Sequence, residues 1–277
     1  MIQELAEAIP APAIPDELST PMRTQSEANP DRQTAVIVGA LFIIALVLYL
    51  AGSAIYGPAT DSEHFLERAY SDRTRVRLGV LVEFVAVLAI PLIGFFMFPV
   101  LKRFNEALAL AYVGFRALEA VFLITIEAKV LTLIDLSEDH QAAEVAAAPG
   151  RQTVGDSLLA EKDGIFVLYV LVFAVGALIF YAMLNRTRLV PQWLSIWGLT
   201  SSAWMLAGTV LVMLDTFSGP SSSTIEAIFV IPLPLNELAL ALWLIIKGFD
   251  DGSAFTGGLA EQRETAPAPE ETFEPTL

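Results

Sequence analysis

The chain has 277 residues, of which 55% are hydrophobic and only 17% charged, with a mean hydropathy of +0.60 and a formal net charge of −15. Soluble proteins average about 25% charged and about 45–50% apolar residues, so this chain cannot hide its apolar side chains in a soluble core of its size, and lipid is the simplest solvent for them. The lack of cysteine excludes disulfides, thiolate nucleophiles and Cys-ligated metal or iron–sulfur centres, and the concentration of acid before residue 35 and after residue 249 argues against nucleic acid as a partner, which wants basic clusters.

In chain order, residues 1–33 come first, with Pro10, Pro12, Pro15, Pro21 and Pro30 spaced too closely for a continuous helix. Rich in Ala, Pro and Glu, this tail buries too little apolar surface to offset ordering entropy and is expected to be disordered. The uncharged run 35–56 is long enough to cross about 30 Å of hydrocarbon. Its length and late start make it an uncleaved span and not a signal peptide. The polar stretch 57–77 contains His64, Phe65, Leu66, Ala69 and Tyr70, a pattern that predicts a short helix lying on the membrane surface.

A second span follows at 78–100, interrupted by Glu83 and Pro91, and closes in a short basic turn at Lys102 and Arg103. The third, 108–134, carries Arg116, Glu119, Glu127 and Lys129 and leads into a polar connection that includes 146–150. The fourth, 165–184, is uncharged, and Arg186 and Arg188 mark another basic turn before Pro191. Trp193 and Trp197 open the fifth span, 193–214, as an interfacial aromatic anchor. A small neutral turn at 218–224 precedes the sixth span, 225–246, which holds Pro232, Pro234, Asn236 and Glu237. The reading is therefore an all-α, polytopic integral membrane helix bundle. Six transmembrane helices form one domain over 34–249, and an acidic, disordered tail runs over 250–277. No internal repeat supports an inverted-repeat transporter. Arg32, Lys102, Arg103, Arg186, Arg188 and Lys247 lie close to helix ends on one side, and Arg68, Arg73, Arg75, Arg77, Arg151 and Lys162 on the other. The cluster 73–77 opposes the bias, but the tight turns on the first side are basic and the 218–224 turn is neutral, which predicts that both termini are cytoplasmic in a cell (plasma) membrane protein.

The informative residues are the ionisable ones inside the spans. A charge at the bilayer centre costs roughly 2.5–3.5 kcal/mol on insertion scales, so such residues face the bundle interior and have partners. Tyr112, Arg116, Glu119, Leu123 and Glu127 follow helical spacing and share one stripe. Arg116 can pair with Glu119 within its helix, or fork onto Glu237 or Glu83 across the bundle. With three acids to one base in that set, at least one carboxyl is expected to carry a proton at neutral pH. Glu83, Tyr112, Arg116, Glu119, Asn236 and Glu237 form the candidate ligand-binding cluster. The bland reading beside it is a buried ion-pair network that fixes helix register without chemistry. Ile231–Pro232–Leu233–Pro234 removes two backbone donors just before Asn236 and Glu237. No catalytic set, metal set or cofactor is expected: His64 and His140 fall in separate predicted loops, and Ser195 and Ser201–Ser202 have no evident base.

Several runs together carry a resemblance. Tyr112–Val113–Gly114–Phe115–Arg116–Ala117–Leu118–Glu119 is one. Arg188–Leu189–Val190–Pro191–Gln192–Trp193–Leu194–Ser195–Ile196–Trp197–Gly198–Leu199 is another. The third comprises Ile231–Pro232–Leu233–Pro234–Leu235–Asn236–Glu237 with the run 243–249. In this order, and with Lys102, they resemble domain of unknown function family 4386, uncharacterised prokaryotic multi-pass membrane proteins, over roughly 34–250. Gln192, Pro234 and Asn236 depart from the residues usual there. The resemblance implies a compact helical membrane domain and supplies no reaction. Three functions follow as expectations: a transporter- or sensor-like binder of a small polar or anionic molecule or an ion, an assembly subunit whose buried charges only fix packing, and, less expected, an intramembrane enzyme. The lipid bilayer is the one partner common to all three.

Overall fold

The computed structural model describes residues 30–60, 65–142, 148–214 and 228–250. Residues 1–29 and 251–277, expected to be disordered, lie outside these, as do His64 and the neutral turn. The described residues form α1 (Pro30–Thr60), α2 (Phe65–Ser71), α3 (Arg73–Leu101), α4 (Glu106–Ala142), α5 (Ala148–Thr187), α6 (Gln192–Met213) and α7 (Pro232–Ile246), with residues 228–230 also helical. Among the described residues there is no strand. A segment in hydrocarbon must satisfy its own backbone N–H and C=O groups, and a helix does so internally. Among the described residues, six helices have the length and apolarity to cross a bilayer: α1, α3, α4, α5, α6 and the segment Ile228–Ile246 that contains α7. The protein is a multi-pass membrane protein.

The six spanning helices form a closed ring. Each packs on the next spanning helix in the chain, and α7 closes against α1. The main core lies inside this ring and includes Phe42, Met97, Tyr112, Phe180, Tyr181 and Leu240. Large apolar residues such as Leu50, Leu81, Phe95, Leu110 and Leu214 point outward, as a lipid-facing surface requires. A close crossing joins α1 to α3, where a Cβ on Gly52 would fall 2.7 Å from the Gly79 carbonyl oxygen and one on Gly79 would fall 2.8 Å from that of Gly52. Small residues at such crossings let two backbones touch, the usual way membrane helices gain van der Waals contact.

Two expectations change and a third is sharpened. The polar connection after the third span is largely helical: α4 has 37 residues and α5 has 40, or about 55 and 60 Å at 1.5 Å per residue. Both outrun the roughly 30 Å of hydrocarbon, so their paired ends extend past it, with good helix formers such as Glu, Gln, Leu and Ala sustaining them. The short helix after the first span exists as α2, but its apolar face is covered by protein: Phe65 and Leu66 are buried with Leu133 of α4, flanked by Leu136, Leu158 and Leu159. Ser137 fixes it there, accepting from the Tyr70 N–H at 2.9 Å and donating to the Leu66 carbonyl. Finally, the break expected at Ile231–Pro234 is placed at Ile231, and Pro232 and Pro234 occupy the first turn of α7, where an N–H has no intrahelical partner to lose.

One end of the ring is clamped by basic residues. Arg32 donates to the carbonyls of Leu244, Ile245 and Ile246 at 3.1, 2.7 and 3.3 Å, capping α7 where its dipole is negative. Gly248, at φ +83°, reverses the chain there, and the Asp250 N–H donates to the Leu189 carbonyl at 2.8 Å. Arg103 forks onto Asp31 at 2.8 and 2.9 Å. Arg32→Ala is expected to lower unfolding stability by about 1–2 kcal/mol, since it strips charge-assisted hydrogen bonds from a helix end. Thermal unfolding in mild detergent reads this, and Arg32→Lys should recover only part, because one ammonium cannot span three carbonyls.

Candidate functional site

The polar stripe of α4 faces the inside of the ring. Tyr112 and Glu119 lie four residues before and three after Arg116, so the three side chains stack on one helix face. Arg116 uses every edge of its guanidinium. Nε donates to the Tyr112 hydroxyl at 3.0 Å, Nη1 to Glu119 Oε2 at 3.0 Å and Nη2 to Glu237 Oε1 of α7 at 3.1 Å. The charged carbon also sits 5.3–5.5 Å from the ring centres of Phe42, Tyr112 and Phe173, within range of cation–π attraction. Arg116 and Glu119 are 3% and 1% exposed. Glu119 Oε1 is buried and accepts no hydrogen bond among the described residues. Its proximity to α5 depends on Gly176, where a Cβ would lie 2.9 Å from Phe115 Cβ and 3.3 Å from that oxygen.

The ion pairs form the floor of a cavity of about 480 Å³ enclosed by the ring. Its walls are apolar and aromatic, with Phe42 and Tyr49 from α1, Ile93 from α3, and Tyr169 and Phe173 from α5. Leu50, Ile231 and Leu235 also line it, and these three are 53–58% exposed on the outer surface of the bundle. The cavity therefore opens sideways between α1 and the start of α7, through an apolar mouth. Two carboxylates flank one guanidinium in the floor, so the set carries a surplus negative charge when both are ionised. At about 1.5 Å per residue, Glu119 lies roughly 20 Å from the start of α4 and Glu237 roughly 14 Å from the end of α7. The two helix ends are on the same, basic side of the ring, which puts the floor near mid-bilayer.

Of the six residues singled out in the sequence, the structure brings together Tyr112, Arg116, Glu119 and Glu237. Arg116 holds Glu119 and Glu237 at once, where the sequence offered them as alternatives. Asn236 is elsewhere: its Nδ2 donates to the Leu194 carbonyl of α6 at 3.0 Å, as expected for a side chain one residue away from Glu237 on a helix. Glu83 is also apart, hydrogen-bonded to Tyr56 of α1. The ratio at the central site is therefore two acids to one base. Ser195 Oγ lies within hydrogen-bond distance of Asn185 Oδ1 and the Gln192 carbonyl. Among the described residues, no three His, Asp or Glu side chains converge as a metal-ligand set.

The aromatic walls escaped the sequence reading. Phe42, Tyr49 and Tyr56 recur every seven residues along an otherwise aliphatic α1, and Phe166, Tyr169 and Phe173 recur at helical spacing along α5. Those periods are the signal that was there to be read. A family model described as Domain of unknown function (DUF4386) matches residues 37–248, which takes in all six spanning helices except residues 30–36 of α1. No curated protein and no solved structure matches the chain.

Proposed function

The chain belongs to the DUF4386 family, and from that membership and the geometry of its central cavity we propose that this membrane domain binds a small amphipathic molecule taken from the bilayer. The carrying observation is the pairing of a sideways apolar mouth with a charged floor. A cavity of 480 Å³ falls in the range that holds drug-sized ligands, about 300–1,000 Å³. Its aromatic walls suit an apolar body. Its floor suits a cationic or hydrogen-bond-donating head, because Glu119 and Glu237 outnumber Arg116 and Glu119 Oε1 has no donor among the described residues. An anionic head, the expectation drawn from the lone arginine, fits poorly, since Arg116 is already neutralised from both sides. The reading includes a plasma-membrane location with the clamped basic end and both termini in the cytoplasm, following the basic turns. Carrier and sensor roles share this binding step.

The test is thermal unfolding of the full chain in mild detergent against three amphiphile series: hydrophobic amines, neutral alcohols and fatty acids. A ligand at one hundred times its Kd stabilises by about 2.7 kcal/mol. The amine series should raise Tm, and Glu237→Gln should weaken that rise. Stabilisation by fatty acids alone, or by none of the series, would overturn the reading. The assembly-subunit alternative draws on one observation, the complete pairing of Arg116, and it gains if a stoichiometric partner copurifies from native membranes while the amphiphile series all fail.

A further inference from the structure

A second acidic pair lies behind the cavity wall. Glu127 is eight residues beyond Glu119 on α4, roughly 12 Å further from the clamped end, and along α3 and α4 Glu83 and Glu127 both fall between one buried cluster that holds Val80 and Val130 and another that holds Val87 and Leu123. Glu83 and Glu127 are 2% and 4% exposed, and Glu83 Oε2 and Glu127 Oε1 are both buried without a hydrogen bond among the described residues. From α1, Tyr56 donates to Glu83, and Tyr49 stands within range of both carboxylates. From α5, Lys162 is in electrostatic range of Glu83 and lies 3.9 Å from Asp163. Lys129, the nearest base along α4, is engaged by Glu161. Lys162 offsets at most one of the two charges, so a second positive charge is needed before both carboxylates can sit inside the bundle.

We propose that Glu83 and Glu127 form a second binding site for a single positive charge, a proton or an alkali cation, behind the Tyr49 wall of the cavity. Tyr49 lines the cavity and lies in the same packed cluster as Val87 and Leu123, so it separates the cavity from the outer pair. The pair sits toward the end of the ring opposite the clamp, about 30 Å along α4 from its start, which is close to the hydrocarbon boundary and hence to water.

Thermal unfolding of the full chain in detergent tests this. Tm is followed from pH 5 to pH 9 in choline chloride, then with sodium or potassium replacing choline at constant ionic strength. A bound positive charge should raise Tm by about 3 °C or more on acidification or on addition of the alkali ion. That response should be lost in Glu83→Gln and Glu127→Gln and kept in Glu237→Gln. Acid alone acting identifies the occupant as a proton, and sodium or potassium acting at high pH identifies a metal cation. A wild-type Tm insensitive to both, or a response unchanged in Glu127→Gln, overturns the proposal. Should the glutamine variants not fold, infrared spectra of the wild type and of Glu127→Asp decide. A carboxyl band that responds to acid or alkali ion and moves in the aspartate variant supports the site, and its absence refutes it.

Discussion

Replacing Arg116 with methionine is expected to cost about 3–5 kcal/mol, enough to abolish accumulation of folded protein. Methionine keeps most of the stem volume, so the loss isolates charge. With the guanidinium gone, Glu119 and Glu237 face each other near mid-bilayer with no cation, and breaking a buried pair from one side carries a penalty of that size. The decisive measurement is rescue. Arg116→Met combined with Glu119→Gln and Glu237→Gln removes all three charges together and should recover most of the loss, since neutral isosteres of buried ion pairs are often well tolerated. Recovery of folding without recovery of amphiphile binding would separate the two roles of the cluster: the charges are dispensable for the fold and required for the ligand. A single Arg116→Met protein as stable as wild type would mean that the carboxyls are already neutral and that the arginine contributes nothing to packing.

The second large effect is expected at the α1–α3 crossing. Gly52→Val places a branched side chain where even a Cβ meets the Gly79 carbonyl oxygen at 2.7 Å and Glu83 Cβ at 2.7 Å. Backbone cannot step aside as a flexible side-chain tip can, so the two helices must separate. Overpacking of this kind usually costs 1–3 kcal/mol, and here the upper end or beyond is expected, because both neighbours at the contact are fixed. Parting α1 from α3 also pulls Tyr49 and Tyr56 away from Glu83, so the variant should lose the pH or alkali-ion response as well as stability. Gly114→Val is the control, since nothing lies within 4 Å of a Cβ there. A Gly52→Val protein that melts within about 1 °C of wild type would show that the crossing is looser than described.

Much of this was legible before any coordinates. The six spans were readable because hydrocarbon leaves a chain few options, and a charge-free apolar run of sufficient length has to cross it as a helix. The stripe Tyr112, Arg116, Glu119 was readable because residues three and four apart on a helix share a face. The clamp at Arg32 was not, since it joins residues more than two hundred positions apart. The polar helix ends of α4 and α5 were missed because polarity was taken for a loop. A polar sequence in water forms helix when its backbone bonds and a packed neighbour hold it, as α2 and the paired ends do here.

Sequence alone determined the solvent, the number of crossings and the need for Arg116 and Glu119 to face protein, because each follows from the cost of placing an apolar or charged group in the wrong medium. Only the tertiary structure decided which partners those charges take. Closing the ring brings Glu237 of α7 to Arg116, turns Asn236 to α6 instead, and assigns Glu83 to Tyr56 and the Glu127 pair instead of the central floor. Helical periodicity fixes directions within one helix, but the rotation of each helix about its own axis is set by how it packs against its neighbours. That rotation separates one mixed polar cluster into two groups of buried charges.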